Sequence, residues 1–211
     1  MSHSISNPHF LMRRLHSLFG LLPVGGFLLF HLWENSQSRF GRDYYNQYVV
    51  EKIQGLNYVL LLEIFVIALP ILWHVIYGLV IWWFGRANVT QYGYLRNWMW
   101  WLQRVSGIGI LFFLLLHVGW TRLLAIFDPT VKQDMFSHMQ AMLADRWWLA
   151  AYVVGLLLAI FHLCNGLWTM AISWGLLTSA EAQKRMQWAA LLAFVVLSAL
   201  GIHGLVGFFV G

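Results

Sequence analysis

Five stretches of this chain, approximately 15–34, 58–84, 99–127, 147–177 and 188–210, are each apolar for about the 20 residues that a helix needs to cross a bilayer. None shows the period-2 alternation of a strand, and all are longer than strands usually run. In lipid, a segment that cannot bond to water must satisfy its own backbone, so these runs predict five spanning helices packed as a bundle. The expected fold class is an all-α integral membrane protein, with residues 1–211 forming a single transmembrane domain. Composition agrees: 60% hydrophobic and 10% charged residues are too apolar a mixture for an ordinary soluble domain.

The net charge of +5 is spread over short loops without a basic run, which fits topology-setting rather than nucleic-acid binding. Cys164 stands alone, so an intrachain disulfide, a thiolate-held iron–sulfur cluster and a CxxCH haem attachment are excluded. Arg13 and Arg14 precede the first apolar run as in a signal peptide, but no small-residue cleavage site follows, and the run reads as a retained span. No myristoylation or prenylation motif is present. The segment 1–13 is polar and is expected at the surface or against a partner.

Orientation follows from loop charge. The N-terminus, second loop and fourth loop hold Arg13, Arg14, Arg86, Arg96, Arg104, Lys184 and Arg185. The first and third loops hold Arg39, Arg42, Lys52, Arg122, Lys132 and Arg146 on longer segments. The positive-inside rule then places the N-terminus in the cytoplasm of a multi-pass protein.

Four of the spans carry a histidine deep within apolar sequence: His31, His74, His117 and His162. An ionisable group inside a span is costly and is a functional-site hypothesis by default. With a rise of about 1.5 Å per residue, His31 and His117 fall roughly 5 and 15 Å below the outer surface, and His74 and His162 roughly 24 and 22 Å below it. That sorts them into an outer and an inner pair. His74-x-x-x-Gly78-Leu79 repeats as His162-x-x-x-Gly166-Leu167, so the chain reads as two related helical hairpins.

Two facing imidazoles from a helix bundle are the ligand set of a bis-histidine haem, and two such pairs predict two b-type haems. Gly20 and Ser106, eleven residues before His31 and His117, share the ligand faces of their helices, as do Gly78 and Gly166. They offer room for a flat macrocycle, or simply for helix packing. Zinc is a poorer match because the pairs lie at different depths without an HExxH or Cys/His pattern. His16, about 22 Å inward of His31, is open to two readings: a packing residue, or a contact to inner haem propionates alongside Arg14 and Arg104. His3, His9 and His138 lie in polar segments and read as surface residues, and His203 has no partner at its level.

Glu63 is an acid within the second span, near the outer level and on the helix face of His74. It is either paired or interfacial, or a proton relay beside the outer site. A proton-coupled transporter that uses the same buried His and Glu is the alternative from a different class, and it predicts no visible absorbance.

The segments RRLHSLFGLLPVGGFLLFHLWEN, LEIFVIALPILWHVIYG, YGYLRNWMWWLQRVSGIGILFFLLLHVGWTR and FHLCNGLW together resemble the dihaem cytochrome b membrane subunits of succinate:menaquinone oxidoreductases and fumarate reductases. The likeness runs from about residue 10 to 205 and is greatest to the five-helix, single-anchor type of Gram-positive bacteria. It implies that His31 and His117 ligate a distal haem and His74 and His162 a proximal one. It further implies a location in the bacterial cytoplasmic membrane and electron exchange with menaquinone near the distal haem. The partners it implies are a flavoprotein carrying FAD and an iron–sulfur protein, whose cofactors have no binding motif in this chain. Dicarboxylate chemistry would then belong to the partners, and this chain alone would not be an enzyme for it. A dihaem anchor of a formate dehydrogenase or hydrogenase is the second redox reading.

Overall fold

The structure, a computed structural model, describes residues 8–211; His3 and the rest of 1–7 lie outside the described residues. Eight helical elements follow in order: α1 (His9–Phe40), α2 (42–54), α3 (Val59–Phe84), α4 (Leu95–Phe127), α5 (Pro129–Gln133), α6 (Met135–Leu143), α7 (Arg146–Ser173) and α8 (Ala180–Val210). No strand occurs among the described residues. The five long helices are those that the apolar runs predict.

Helix ends depart from the apolar boundaries where capping extends the coil into polar sequence. The Ser179 hydroxyl accepts from the Ala182 N–H, so α8 starts eight residues before the expected 188. Asp145 accepts from the Trp147 and Trp148 amides and starts α7 at Arg146. Gly175, at φ +76°, turns the chain after Ser173, four residues short of the expected end.

Pro23 and Pro70 each remove a backbone donor within a span. A π-helical turn at Gly20–Gly25 encloses Pro23, and another at Glu63–Ala68 immediately precedes the turn that holds Pro70. Widening the coil locally is how these helices continue past a missing donor.

The bundle is thin. Buried residues make up only 6% to 22% of the most apolar window of each long helix. Few Leu, Phe and Val side chains are fully buried and many point outward, as a lipid solvent allows and water would penalise. Trp83 and Trp147, at helix ends, are largely exposed, where indoles suit a membrane interface.

Interior packing concentrates in two places. The first is formed by Leu32, Ile160, Cys164, Trp168 and Ala190, where α7 and α8 meet α1. On α8, Gly204 and Gly207 admit the α1 backbone, and the fully buried Ser38 hydroxyl donates to the Gly204 carbonyl at 2.7 Å.

The second cluster closes the end of the bundle that carries 41–58 and 128–145, called here the outer end. Tyr45 and Val49 of α2, Phe136, Met139, Met142 and Leu143 of α6, Tyr152 of α7 and Phe208 of α8 form this lid. A polar clasp at Asp134 joins its two halves. The carboxylate accepts from Arg42 at 2.7 and 2.8 Å, from the Asn46 amide at 2.7 Å and from the Ser137 N–H at 3.1 Å, capping α6. Asn46 reciprocates by accepting from the Phe136 N–H.

The Arg42 guanidinium, aided by the Ser137 and Asn46 donors, holds the Asp134 carboxyl well below its usual 3.8. A depressed carboxyl stabilises the fold above its unfolded-state pKa and loses that contribution as pH falls below it. Thermal stability in detergent should therefore drop as pH is lowered through about 3.8 more steeply for the native protein than for Asp134→Ala. At neutral pH that variant should be less stable by about 1–2 kcal/mol, the usual cost of a lost N-cap. Thermal melts at stepped pH measure both effects.

Candidate functional site

The structure brings the four span histidines together as two pairs. His31 of α1 and His117 of α4 have ring centroids 5.6 Å apart, with planes at 68°. His74 of α3 and His162 of α7 are 6.0 Å apart, with planes at 87°. Two imidazoles bonded through one nitrogen each to a metal between them would have centroids about 6 Å apart, given metal–nitrogen bonds of about 2 Å. Both pairs have that spacing.

A neutral imidazole must place one N–H, and the acceptor of that N–H decides which nitrogen is left for a metal. His74 Nδ1 donates to the His16 carbonyl at 2.8 Å. His162 Nδ1 lies 3.1 Å from the Ser106 hydroxyl, which itself donates to the Gln103 carbonyl and so accepts from the ring. His117 Nδ1 lies 3.2 Å from the Tyr152 hydroxyl, which donates onward to the Met139 sulfur. His31 Nδ1 lies 3.5 Å from the Glu34 carboxylate. Each Nδ1 thus has a polar neighbour, and Nε2 is the nitrogen left free on His74, His117 and His162; on His31 the Asn35 amide nitrogen lies 3.4 Å from both ring nitrogens.

Local sequence builds these contacts through the helical repeat. Eleven residues inward of each outer histidine along the same helix is a small residue that meets the inner histidine of the next span. Gly20 of α1 faces the His74 ring so closely that a methyl there would collide with it. Ser106 of α4 bonds His162, and a side chain on neighbouring Gly107 would come 3.1 Å from the same ring. The sequence places Gly20 and Ser106 on the faces of His31 and His117; the structure shows them serving the inner pair.

Four residues past the inner histidines, Gly78 makes room for the His16 ring and Gly166 for the Gln103 amide. Gln103 donates to the His162 carbonyl and accepts from Asn165, which also donates to the Met99 carbonyl. The H-x-x-x-G-L repeat therefore admits a side chain of the preceding histidine-bearing helix in both halves of the chain.

His16 stacks on His74 at 4.0 Å and 8°. Its Nδ1, Trp73 Nε1 and Arg104 Nε are buried polar atoms without a protein partner, all toward the inner end. Arg104 lies over the Trp100 ring at 3.4 Å, in a cleft of about 410 Å³ lined by Trp82, Trp83, Gly85 and Trp101. Arg14 rests over Phe10 and Trp174 at 4.7 and 5.2 Å. A buried guanidinium nitrogen without an acceptor suits an anionic group such as a propionate.

Glu63 forms a bidentate ion pair with Arg122, at 2.8 Å from Nε to Oε1 and 2.7 Å from Nη2 to Oε2, joining α3 to α4. Both groups remain partly exposed. His138 contacts the Trp120 carbonyl from an exposed position, and His9 pairs with Tyr77. Among the described residues no group of three or more His, Cys, Asp or Glu side chains is placed to hold a metal ion. Two imidazoles suffice only where a macrocycle provides the remaining ligands.

Tyr152, Glu34 and Arg122 are contacts that sequence reading does not identify. Glu34 was accessible, because it follows His31 by three residues and shares its helix face. Tyr152 and Arg122 act across helices, and no local spacing announces them.

The chain belongs to the succinate dehydrogenase/fumarate reductase transmembrane subunits. That family matches residues 86–202. The chain is also 39% identical over 202 residues to the succinate dehydrogenase cytochrome b558 subunit of Bacillus subtilis (strain 168), covering 96% of this chain and 98% of that protein. It is a membrane-anchor subunit, and its five apolar helices make it multi-pass.

Gly20→Ala drives a methyl into a His74 ring that cannot swing away, being stacked on His16 and bonded to its carbonyl. It should cost about 1–3 kcal/mol by overpacking. Gly26→Ala, with nothing within 4 Å of the new carbon, should stay within about 0.5 kcal/mol. Paired thermal melts compare them.

Proposed function

We propose that this subunit carries two b-type haems, an outer one on His31 and His117 and an inner one on His74 and His162, and links an iron–sulfur partner to menaquinone. The observation that carries this reading is the pair of imidazole sets at two levels, each with its Nδ1 engaged and its spacing suited to a metal between the rings. When bound, the haems supply one-electron carriers at two depths of a low-dielectric slab. The flavoprotein partner, with FAD, carries the dicarboxylate chemistry. The name of the Bacillus relative supports both haem b and the succinate dehydrogenase assembly.

The protein's own residues orient and hold. The His16 carbonyl and the Ser106 and Tyr152 hydroxyls fix the ring tautomers and orientations of three ligands. Arg104, whose Nε has no protein acceptor, and Arg14, over Trp174, are the residues that would hold the inner haem's propionates. His16 contributes its ring as a stacking plate for His74 and its unpartnered Nδ1 to the same polar region.

Glu63 holds or releases a proton at its carboxylate near the outer end, and Arg122 fixes the carboxylate in place between turnovers. The loop charges support an N-terminus in the cytoplasm, with the inner pair on that side of the bacterial membrane.

The purified complex should show a dithionite-reduced b-type α band and two haems per chain; a colourless subunit would refute the reading. His74→Ala and His162→Ala should remove one spectral component, and His31→Ala and His117→Ala the other. Any cross-pairing overturns the assignment. Glu63→Gln, with haem content intact, should slow menaquinone-coupled turnover by at least tenfold, within the usual effect of a lost acid–base group. Unchanged turnover sinks the relay.

A further inference from the structure

Glu34 is a buried acid that neither the packing nor the proposed electron path has used. The residue is 7% exposed, three positions past His31 in the outer part of α1. A carboxylate withdrawn from water needs a partner to repay its lost hydration. His31 Nδ1, at 3.5 Å, is the one basic group within 4.0 Å of it among the described residues.

The surroundings shield the carboxylate, while the His31 side chain beside it is 35% exposed. Tyr45, 5% exposed, closes over it as part of the lid and donates its hydroxyl to the Asn35 side-chain oxygen at 3.1 Å. Asn35 in turn donates to the His31 carbonyl at 2.8 Å and lies 3.4 Å from both nitrogens of the ring. Burial foremost, and the negative charge of Glu34 after it, hold the Tyr45 phenol well above its usual range, so the hydroxyl stays a donor.

The four Nδ1 contacts are chemically unequal. A backbone carbonyl serves His74, and hydroxyls serve His162 and His117, all of them neutral. A carboxylate serves His31 alone. At 3.5 Å it acts by charge more than by a tight hydrogen bond. A negative charge behind an imidazole makes the ring a stronger donor to iron and stabilises the more positive, oxidised metal.

We propose that Glu34 is a positioning residue that sets the reduction potential of the outer haem through His31, holding it below the value that two neutrally bonded histidines would give. The proposal rests on the two-haem reading above. It concerns one site only, because no carboxylate stands behind the other three rings.

The test is potentiometric titration of the intact complex, following the two spectral components separately. Glu34→Gln keeps the shape and an acceptor oxygen but removes the charge. Glu34→Ser removes the charge and leaves space for water at Nδ1. In either variant the outer component should become easier to reduce by at least tenfold in its ferric-to-ferrous equilibrium, about 59 mV for one electron. The inner component should not move.

An unshifted outer potential in a variant that retains both haems overturns the proposal, as does an equal shift of both components. If both variants lose the outer haem, Glu34 is needed to build the site, and the tuning role is likewise overturned. Absence of haem from the native complex refutes the parent reading, which separates the two failures.

Discussion

An imidazole carried into lipid brings an N–H that water can no longer satisfy, and leaving such a donor unpaired costs about 1–3 kcal/mol. The placement of the histidine-bearing helices relative to one another depends on meeting that need at three points. The His16 carbonyl must reach His74 from α1 to α3, Ser106 must reach His162 from α4 to α7, and Tyr152 must reach His117 from α7 back to α4. These are contacts between helices, so each fixes rotation and depth as well as tautomer. Outside the two core clusters, apolar packing cannot do this alone, because little of it is buried.

The repeat gains a physical meaning from these contacts. In both halves of the chain a small residue eleven positions before the outer histidine meets the inner histidine, and a glycine four positions after the inner histidine meets a polar side chain of the preceding histidine-bearing helix. At about 1.5 Å per residue, eleven residues is the vertical step between the two levels. One register shift of a turn in α1 or α4 would move Gly20 or Ser106 away from its ring, and a side chain would meet it instead. His31 is served differently because its hairpin has a carboxylate on its own helix, Glu34, in place of a hydroxyl from the next.

The fold was legible in the sequence because lipid makes the rules few. Apolar runs of sufficient length must be helices, and the five runs predict the five long helices, with differences at the ends set by Asp145, Ser179 and Gly175. The lid was not legible. Its helices α2 and α6 are short and mixed in composition, and they form because Asp134 draws Arg42 and Asn46 from a segment about ninety residues away. In the site, depth sorts the histidines into the two pairs seen in the structure, because depth is a one-dimensional quantity that spacing measures directly. Which small residue faces which ring depends on lateral packing, and spacing carries no record of it.

Glu63 and Arg122 show how partial exposure bears on the chemistry proposed for the outer end. Their side chains are 26% and 35% exposed, and the neighbouring Leu60, Leu61, Phe65, Leu123 and Ile126 point outward. The lid meanwhile closes the top of the bundle over Tyr45 and Tyr152. On the proposed reading, a lipid-soluble substrate would meet the ion pair from the side, between α3 and α4, without the lid opening. Separating a fully buried pair by removing one partner costs about 3–5 kcal/mol, because the charge left behind has no solvent. Here partial exposure would let solvent reach each partner as they part, and the cost would fall toward that of an exposed pair, about 0–1 kcal/mol. A carboxylate held by a bidentate clamp that opens at so small a cost is well placed to take up a proton when a substrate displaces the guanidinium, and to be returned to the same position afterwards.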